Sequence, residues 1–260
     1  MNILRRALIG LAAAAVLIGP ACGGDTVRSP RGFADWAVVV VAGDAHGAHD
    51  RTSTDAFDNA RRDVAEGLMR RGFSRDNVAQ FSVRPWRFAD VISQKSDREP
   101  IADRLAEIAA RTHGGCLAYF TSHGSPEGMV LGEGWLTPTQ MDDLVSGACG
   151  ARPSMIIVSA CFSGVFVPAL RGPNRFVLTA ARPDRSSFGC GESDRYPFFD
   201  GCVIEVLPAS NDPMDLAARV RSCVTRREAL EHAKPPSEPQ LFVGDAFRFA
   251  APAFSPGGGQ

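Results

Sequence analysis

Leu117-Ala-Tyr-Phe-Thr-Ser-His123-Gly124 and Met155-Ile-Ile-Val-Ser-Ala-Cys161-Phe-Ser-Gly164 are apolar runs that end in a reactive side chain with a glycine close behind. Short continuous runs of this kind read as strands buried on both faces. Working outward, Trp36–Ala42 (W-A-V-V-V-V-A) reads as a first such strand, closed by Gly43. Thr54–Arg71 has helical spacing, with Phe57, Ala60, Val64 and Leu68 on one face and Gly72 as the stop. Val78–Val83 predicts a second strand, Glu99–Arg111 a second helix, and Cys116–Thr121 a third strand. Gly128–Leu136 reads as a small hairpin, and Thr137–Val145 as a helix opened by Thr137-Pro138. Met155–Ser159 and Phe176–Ala180 are the fourth and fifth strands, Asp200–Leu207 and Pro213–His232 two further helices, and Leu241–Val243 a last short run. Strand–helix alternation of this kind predicts an α/β fold, a single domain with a mostly parallel central sheet covered by helices on both faces.

In an open parallel sheet the carboxyl ends of the strands form one rim, where ligands bind. If the third and fourth strands are neighbours, His123 and Cys161 meet there. A thiol is a strong nucleophile even when only a few per cent ionised, and a nearby imidazole can take its proton or give one to a leaving amine. Glycines behind each residue let the backbone turn and aim its N–H groups into the site. The backbone N–H groups of Gly124 and Cys161 are candidate donors to a developing oxyanion.

Lys+Arg number 28 against Asp+Glu 29, a net charge of -1, so a nucleic-acid-binding role lacks its electrostatic footprint. A hydrophobic fraction of 45% with 16 Phe is enough for a core and excludes a disordered scaffold. Arg5 and Arg6 precede the apolar run Ala7–Ile18, which ends in Gly19-Pro20-Ala21-Cys22. A basic start, about a dozen apolar residues and small residues beyond them describe a secretory signal over 1–21, too short for a spanning helix. Cys22 also resembles a bacterial lipoprotein acceptor, although Gly19 stands where such sites usually carry Leu. The chain is thus expected to be exported, to a bacterial periplasm or to a membrane through a lipid on Cys22. Residues 22–33 read as a linker, 34–250 as the domain, and 251–260 as a flexible tail.

An oxidising compartment permits disulfides. Seven cysteines are present, and with Cys22 set aside six remain. Cys161 must stay reduced to act as a nucleophile, which leaves at least one further free thiol. Antiparallel packing of the two last long helices would face Cys202 towards Cys223; Cys116, inside a central strand, is expected to be a free buried thiol. His46 and His49 with Asp44 and Asp50 are a weak metal signal on a loop, and no metal or cofactor is expected. His113 and His232 fall at helix ends, where a cation suits the dipole.

Y-F-T-S-H-G-S, then S-A-C-F-S-G, then L-T-A-A-R-P-D-R-S-S-F-G-C resemble the peptidase C13 family, the legumains or asparaginyl endopeptidases. The first strand with A-G-D and the following D-R-T-S-T-D-A are similar too, so the resemblance runs from about Trp36 to Leu207. It implies a caspase-like fold, a Cys161–His123 dyad, and oxyanion donors at Gly124 and Cys161. It also implies a specificity pocket containing Arg51, Ser159, Ser186 and Asp200. Legumains usually carry Glu before and after the Ala-Cys pair, where this chain has Ser159 and Phe162. The long C-terminal prodomain of plant and animal legumains has no room here, so acid-triggered release of it is not expected. The reading is a cysteine endopeptidase cutting protein or peptide substrates after Asn or Asp. A transamidase or ligase would use the same thioester, and a non-catalytic caspase-like module would need neither dyad residue.

Overall fold

The computed structural model describes residues 32–47 and 52–255. Arg51, His49, Asp50, the expected signal 1–21 and Cys22 lie outside them. The elements in chain order are β1 (Ala37–Ala42), α1 (Ala56–Arg70), β2 (Val78–Ser82), β3 (Gln94–Lys95), α2 (Arg98–Arg111) and β4 (Cys116–Thr121). There follow β5 (Gly124–Ser125), β6 (Gly128–Leu131), β7 (Gly134–Leu136), α3 (Pro138–Cys149), β8 (Ser154–Ser159) and α4 (Val167–Leu170). β9 (Arg175–Thr179), α5 (Phe198–Val206), α6 (Pro213–Leu230), β10 (Gln240–Val243) and α7 (Asp245–Ala250) complete the described chain.

Seven strands form one sheet in the order β10-β9-β8-β4-β1-β2-β3. All neighbours run parallel except β10, which is antiparallel to β9. The alternation of side chains along β1 divides the core in two. Val38 and Val40 pack with Val64 and Leu68 of α1 and with Phe199 and Val220 of α5 and α6. Ala37, Val39 and Val41 pack with Ile101, Leu105 and Ile108 of α2 and with Met141 and Leu144 of α3. The four valines of β1 are fully buried, each stabilising the fold by roughly 1.5–3 kcal/mol relative to exposure. This is the predicted α/β architecture.

Several local expectations change. The short edge strand β3 and the short helices α4 and α7 carry too few residues for a period to register. The folded body extends past the expected limits of 34 and 250. Phe33 stacks on Phe73 and Phe254 at centroid distances of 4.5 and 4.9 Å, and Phe254 N–H donates to the Asn211 carbonyl at 2.8 Å.

The bridge between Cys202 in α5 and Cys223 in α6 is present. Cys116 is not a free thiol: it is bonded to Cys149. The reason lies in α3, which continues past the expected Val145 to Cys149 and so carries that residue to the start of β4. Closing loops of 21 and 33 residues stabilises by about 3 and 4 kcal/mol respectively in the chain-entropy model.

Candidate active site

Register places the two reactive residues. In the β4–β8 pairing Thr121 stands opposite Ser159, and the Ser122 N–H carries the ladder one step further to the Ser159 carbonyl at 3.0 Å. His123 lies two residues beyond Thr121 and Cys161 two beyond Ser159. The side chains therefore emerge at one level on adjacent strand ends. Both are half-buried.

His123 is held from three sides. Its carbonyl accepts the Val130 N–H of β6 at 2.9 Å, and its ring meets Phe57 of α1 edge-on at 5.1 Å. Its Nε2 lies 2.9 Å from the His46 carbonyl. A carbonyl can only accept, so Nε2 bears the proton and the Nδ1 lone pair is left as the base. His46 is itself fixed: Asp44 Oδ1 accepts its backbone N–H at 3.1 Å and meets its Nδ1 at 2.6 Å. The role of His46 is thus as a backbone acceptor. Among the described residues no group of three or more His, Cys, Asp or Glu is placed to hold a metal.

Gly124 must be glycine. A Cβ there would stand 2.2 Å from the Cys161 carbonyl oxygen. Hydrogen-bonded and non-bonded pairs alternate in an antiparallel ladder. His123 bonds with Val130, so Gly124 opposite Met129 occupies the non-bonded position, and its N–H points away from β6. The Cys161 N–H has no acceptor among the described residues. Gly124→Ala is predicted to displace the Cys161 backbone and abolish turnover while the fold persists; peptide hydrolysis and circular dichroism on one sample check this.

The turn at Cys161 differs from expectation. Phe162, not a glycine, takes the left-handed conformation at φ 58. That strain costs about 1–2 kcal/mol for a bulky residue. The Phe162 N–H donation to the Arg185 carbonyl at 2.7 Å helps hold it. Gly164, expected to supply the turn, instead lets Pro183 pass: a Cβ there would lie 2.5 Å from the proline ring. The loop so admitted brings Ser187 against Cys161. Ser187 N–H donates to Cys161 Sγ at 3.3 Å, and its carbonyl lies 3.5 Å from the same sulfur. Ser186, assigned to the pocket by resemblance, is exposed on this loop one residue earlier.

Ser159 and Asp200 come together, but as a buried cluster. Asp200, in the first turn of α5, has no exposed surface and Ser159 is 1% exposed. The carboxylate accepts Ser159 Oγ at 2.6 Å, Tyr119 Oη at 2.5 Å and Thr121 Oγ1 at 3.0 Å. It therefore ties together β4 and β8 directly beneath His123 and Cys161. Burial pushes the Asp200 carboxyl up to about 6, against the lowering effect of the three hydroxyls. The same burial and the facing Asp200 charge raise Tyr119. Strand alternation could have flagged Tyr119 and Thr121 as partners, since they share a face of β4; Ser187 and the His46 carbonyl carry no side-chain signal at all.

A raised folded-state value favours the protonated form in the fold. The stability from Asp200 is complete below its unfolded value of about 4 and is lost as pH rises through about 6, a loss of roughly 3 kcal/mol. Thermal melts of wild type and Asp200→Asn at pH 4 and pH 7.5 are expected to diverge, the wild type losing more on alkalinisation. Parallel losses would contradict this.

Cavities of about 710 and 780 Å³ lie elsewhere, beside β2 and between α6 and β10, and none of their lining residues belongs to the rim. Among the described residues no helix is long and apolar enough to cross a membrane.

Comparison with known proteins agrees with this architecture. The crystal structure of caspase-1 from Spodoptera frugiperda is similar in fold, with a TM-score of 0.58 over 82% of this chain and 87% of that one, at 14% identity. No curated protein matches the sequence at a significant level. The model of the peptidase C13 family matches residues 25–215, most of a chain whose strands β4 and β8 lead into His123 and Cys161. The chain therefore belongs to the peptidase C13 family, on a caspase-like fold.

Proposed function

We propose that this protein is an exported cysteine endopeptidase that cuts peptide bonds after Asn, and after Asp as pH falls. The observation that carries the reading is the β4–β8 register, which sets His123 and Cys161 level on adjacent strand ends with His123 Nε2 on the His46 carbonyl. Family membership supports a cysteine peptidase acting on protein or peptide substrates.

His123 Nδ1 takes the Cys161 proton, and the thiolate attacks the carbonyl carbon of the scissile bond. The Ser187 N–H, 3.3 Å from the sulfur, holds it in position. The N–H groups of Gly124 and Cys161 receive the oxyanion, each contributing about 10²–10³ in rate. Collapse breaks the C–N bond as the imidazolium protonates the departing amine, leaving a thioester on Cys161. Water, deprotonated by Nδ1, then attacks the thioester; the carboxylic acid leaves and the thiol is regenerated.

Arg51 and the exposed Ser186 would line the recognition pocket for the residue before the scissile bond, with the buried Ser159 and Asp200 behind it rather than in contact with substrate. Export rests on the 1–21 segment and accords with two disulfides among the described residues. Digestion of an unfolded protein, with the new termini sequenced by mass spectrometry, tests the reading. New C-termini ending in Asn are expected; an intact substrate would refute it.

A further inference from the structure

Among the described residues four cysteines are paired and two are left free, Cys161 at the rim and Cys190 on the loop that reaches it. Ser187, three residues before Cys190, lies against the Cys161 sulfur. On the other side Gly191 is pinned: its carbonyl accepts Thr54 Oγ1 at 2.9 Å and its N–H donates to Asp194 Oδ2 at 2.7 Å. Cys190 therefore lies, half-buried between Gly189 and Gly191, on the short segment that runs from the Cys161 contact at Ser187 to the Thr54 contact at Gly191. Burial first, then negative charge on Cys161, Asp194 and Asp44, pushes the Cys190 thiol up to about 12.

We propose that Cys161 and Cys190 form a reversible redox pair, in which a peroxide oxidises Cys161 and Cys190 closes the product into a disulfide that silences the site. Loss of activity rests on the peptidase reading; the bond itself does not. In the first step the Cys161 thiolate attacks a peroxide oxygen. The O–O bond breaks, the sulfur is oxidised by two electrons to a sulfenic acid, and the peroxide leaves as water or an alcohol. In the second, the Cys190 sulfur attacks the sulfenic sulfur. The S–S bond forms, the S–O bond breaks, and the oxygen leaves as water with the Cys190 proton.

The order follows from the environments. Burial keeps Cys190 protonated, so it does not compete for the peroxide, whereas Cys161 stands level with His123 on the adjacent strand end. Sulfenic acid formation also discharges Cys161, removing one of the charges that hold the Cys190 proton. A bridge requires Cα atoms about 4.4–6.8 Å apart, and the Gly-Cys-Gly segment is the backbone best able to adjust. Without a resolving thiol a sulfenic acid proceeds to sulfinic acid, which thiols do not reverse.

Treating the full chain with hydrogen peroxide, then dithiothreitol, tests the proposal, with non-reducing peptide mapping at each stage. Wild type is expected to lose activity, yield a Cys161–Cys190 linked peptide, and recover on reduction while Cys116–Cys149 and Cys202–Cys223 stay bonded. Cys190→Ser is expected to give no linked peptide and an irreversible loss. Absence of the linked peptide in oxidised wild type, or full recovery of Cys190→Ser, overturns the redox pair. If the reduced chain cleaves no peptide at all, the peptidase reading falls, and the mapping alone decides the bond.

Discussion

Cys161→Ala is expected to lower kcat by on the order of 10⁵–10⁶, because the thioester route is then closed and the remaining groups cannot substitute for the nucleophile. His123→Ala removes the proton acceptor and donor and is expected to cost about 10²–10⁴. The double variant should be little worse than Cys161→Ala, since the imidazole acts only through the sulfur. Both side chains sit half-buried at strand ends rather than in either core, so thermal transitions should stay within a few degrees of wild type. Full turnover by folded Cys161→Ala would remove the dyad.

Changing only the residue before the scissile bond is expected to alter kcat/KM by about a hundredfold or more, with Asn best. A carboxamide would give its oxygen to Arg51 without setting a second negative charge near the buried Asp200. A substrate Asp would satisfy Arg51 but feel the buried Asp200 charge behind the pocket, and a basic side chain would be repelled by Arg51. The raised Asp200 carboxyl sets the pH window: as pH falls through about 6 its charge is lost, and the Asp to Asn ratio should climb. Ser159 in place of the usual Glu removes one acceptor, so discrimination should be milder than in legumains. Fluorogenic substrates assayed from pH 5 to 8 decide this. Best turnover after Arg, Lys or Leu would refute the pocket and leave the dyad untouched.

The placement of His123 and Cys161 was legible because each follows a long apolar run, and parallel strands deliver their ends to one rim. What holds them there was not. The His46 carbonyl and the Ser187 N–H are backbone groups, invisible to any reading by residue type. Phe57 was legible as a core residue of α1, yet its contact with His123 depends on how α1 crosses the end of β4. Asp200 was found through a family resemblance, but its full burial depends on α5 beginning at Phe198 and docking its first turn under β4 and β8. Cys116 was misjudged because nothing in the polar stretch Ser146–Gly147 announces that α3 runs on to Cys149. Turns were the other weak point: two glycines were expected to bend the chain at the rim, whereas the sharp residue is Phe162.

Covalent capture tests the central claim most directly. A peptidyl acyloxymethyl ketone with Asn next to the warhead, incubated with the folded, reduced chain, alkylates only a thiolate that the site has activated. One equivalent is expected to add, mapped by tandem mass spectrometry to Cys161, with no adduct in His123→Ala under the same conditions. Labelling of Cys190 instead, or equal labelling of unfolded and folded chain, would contradict an activated nucleophile at the end of β8.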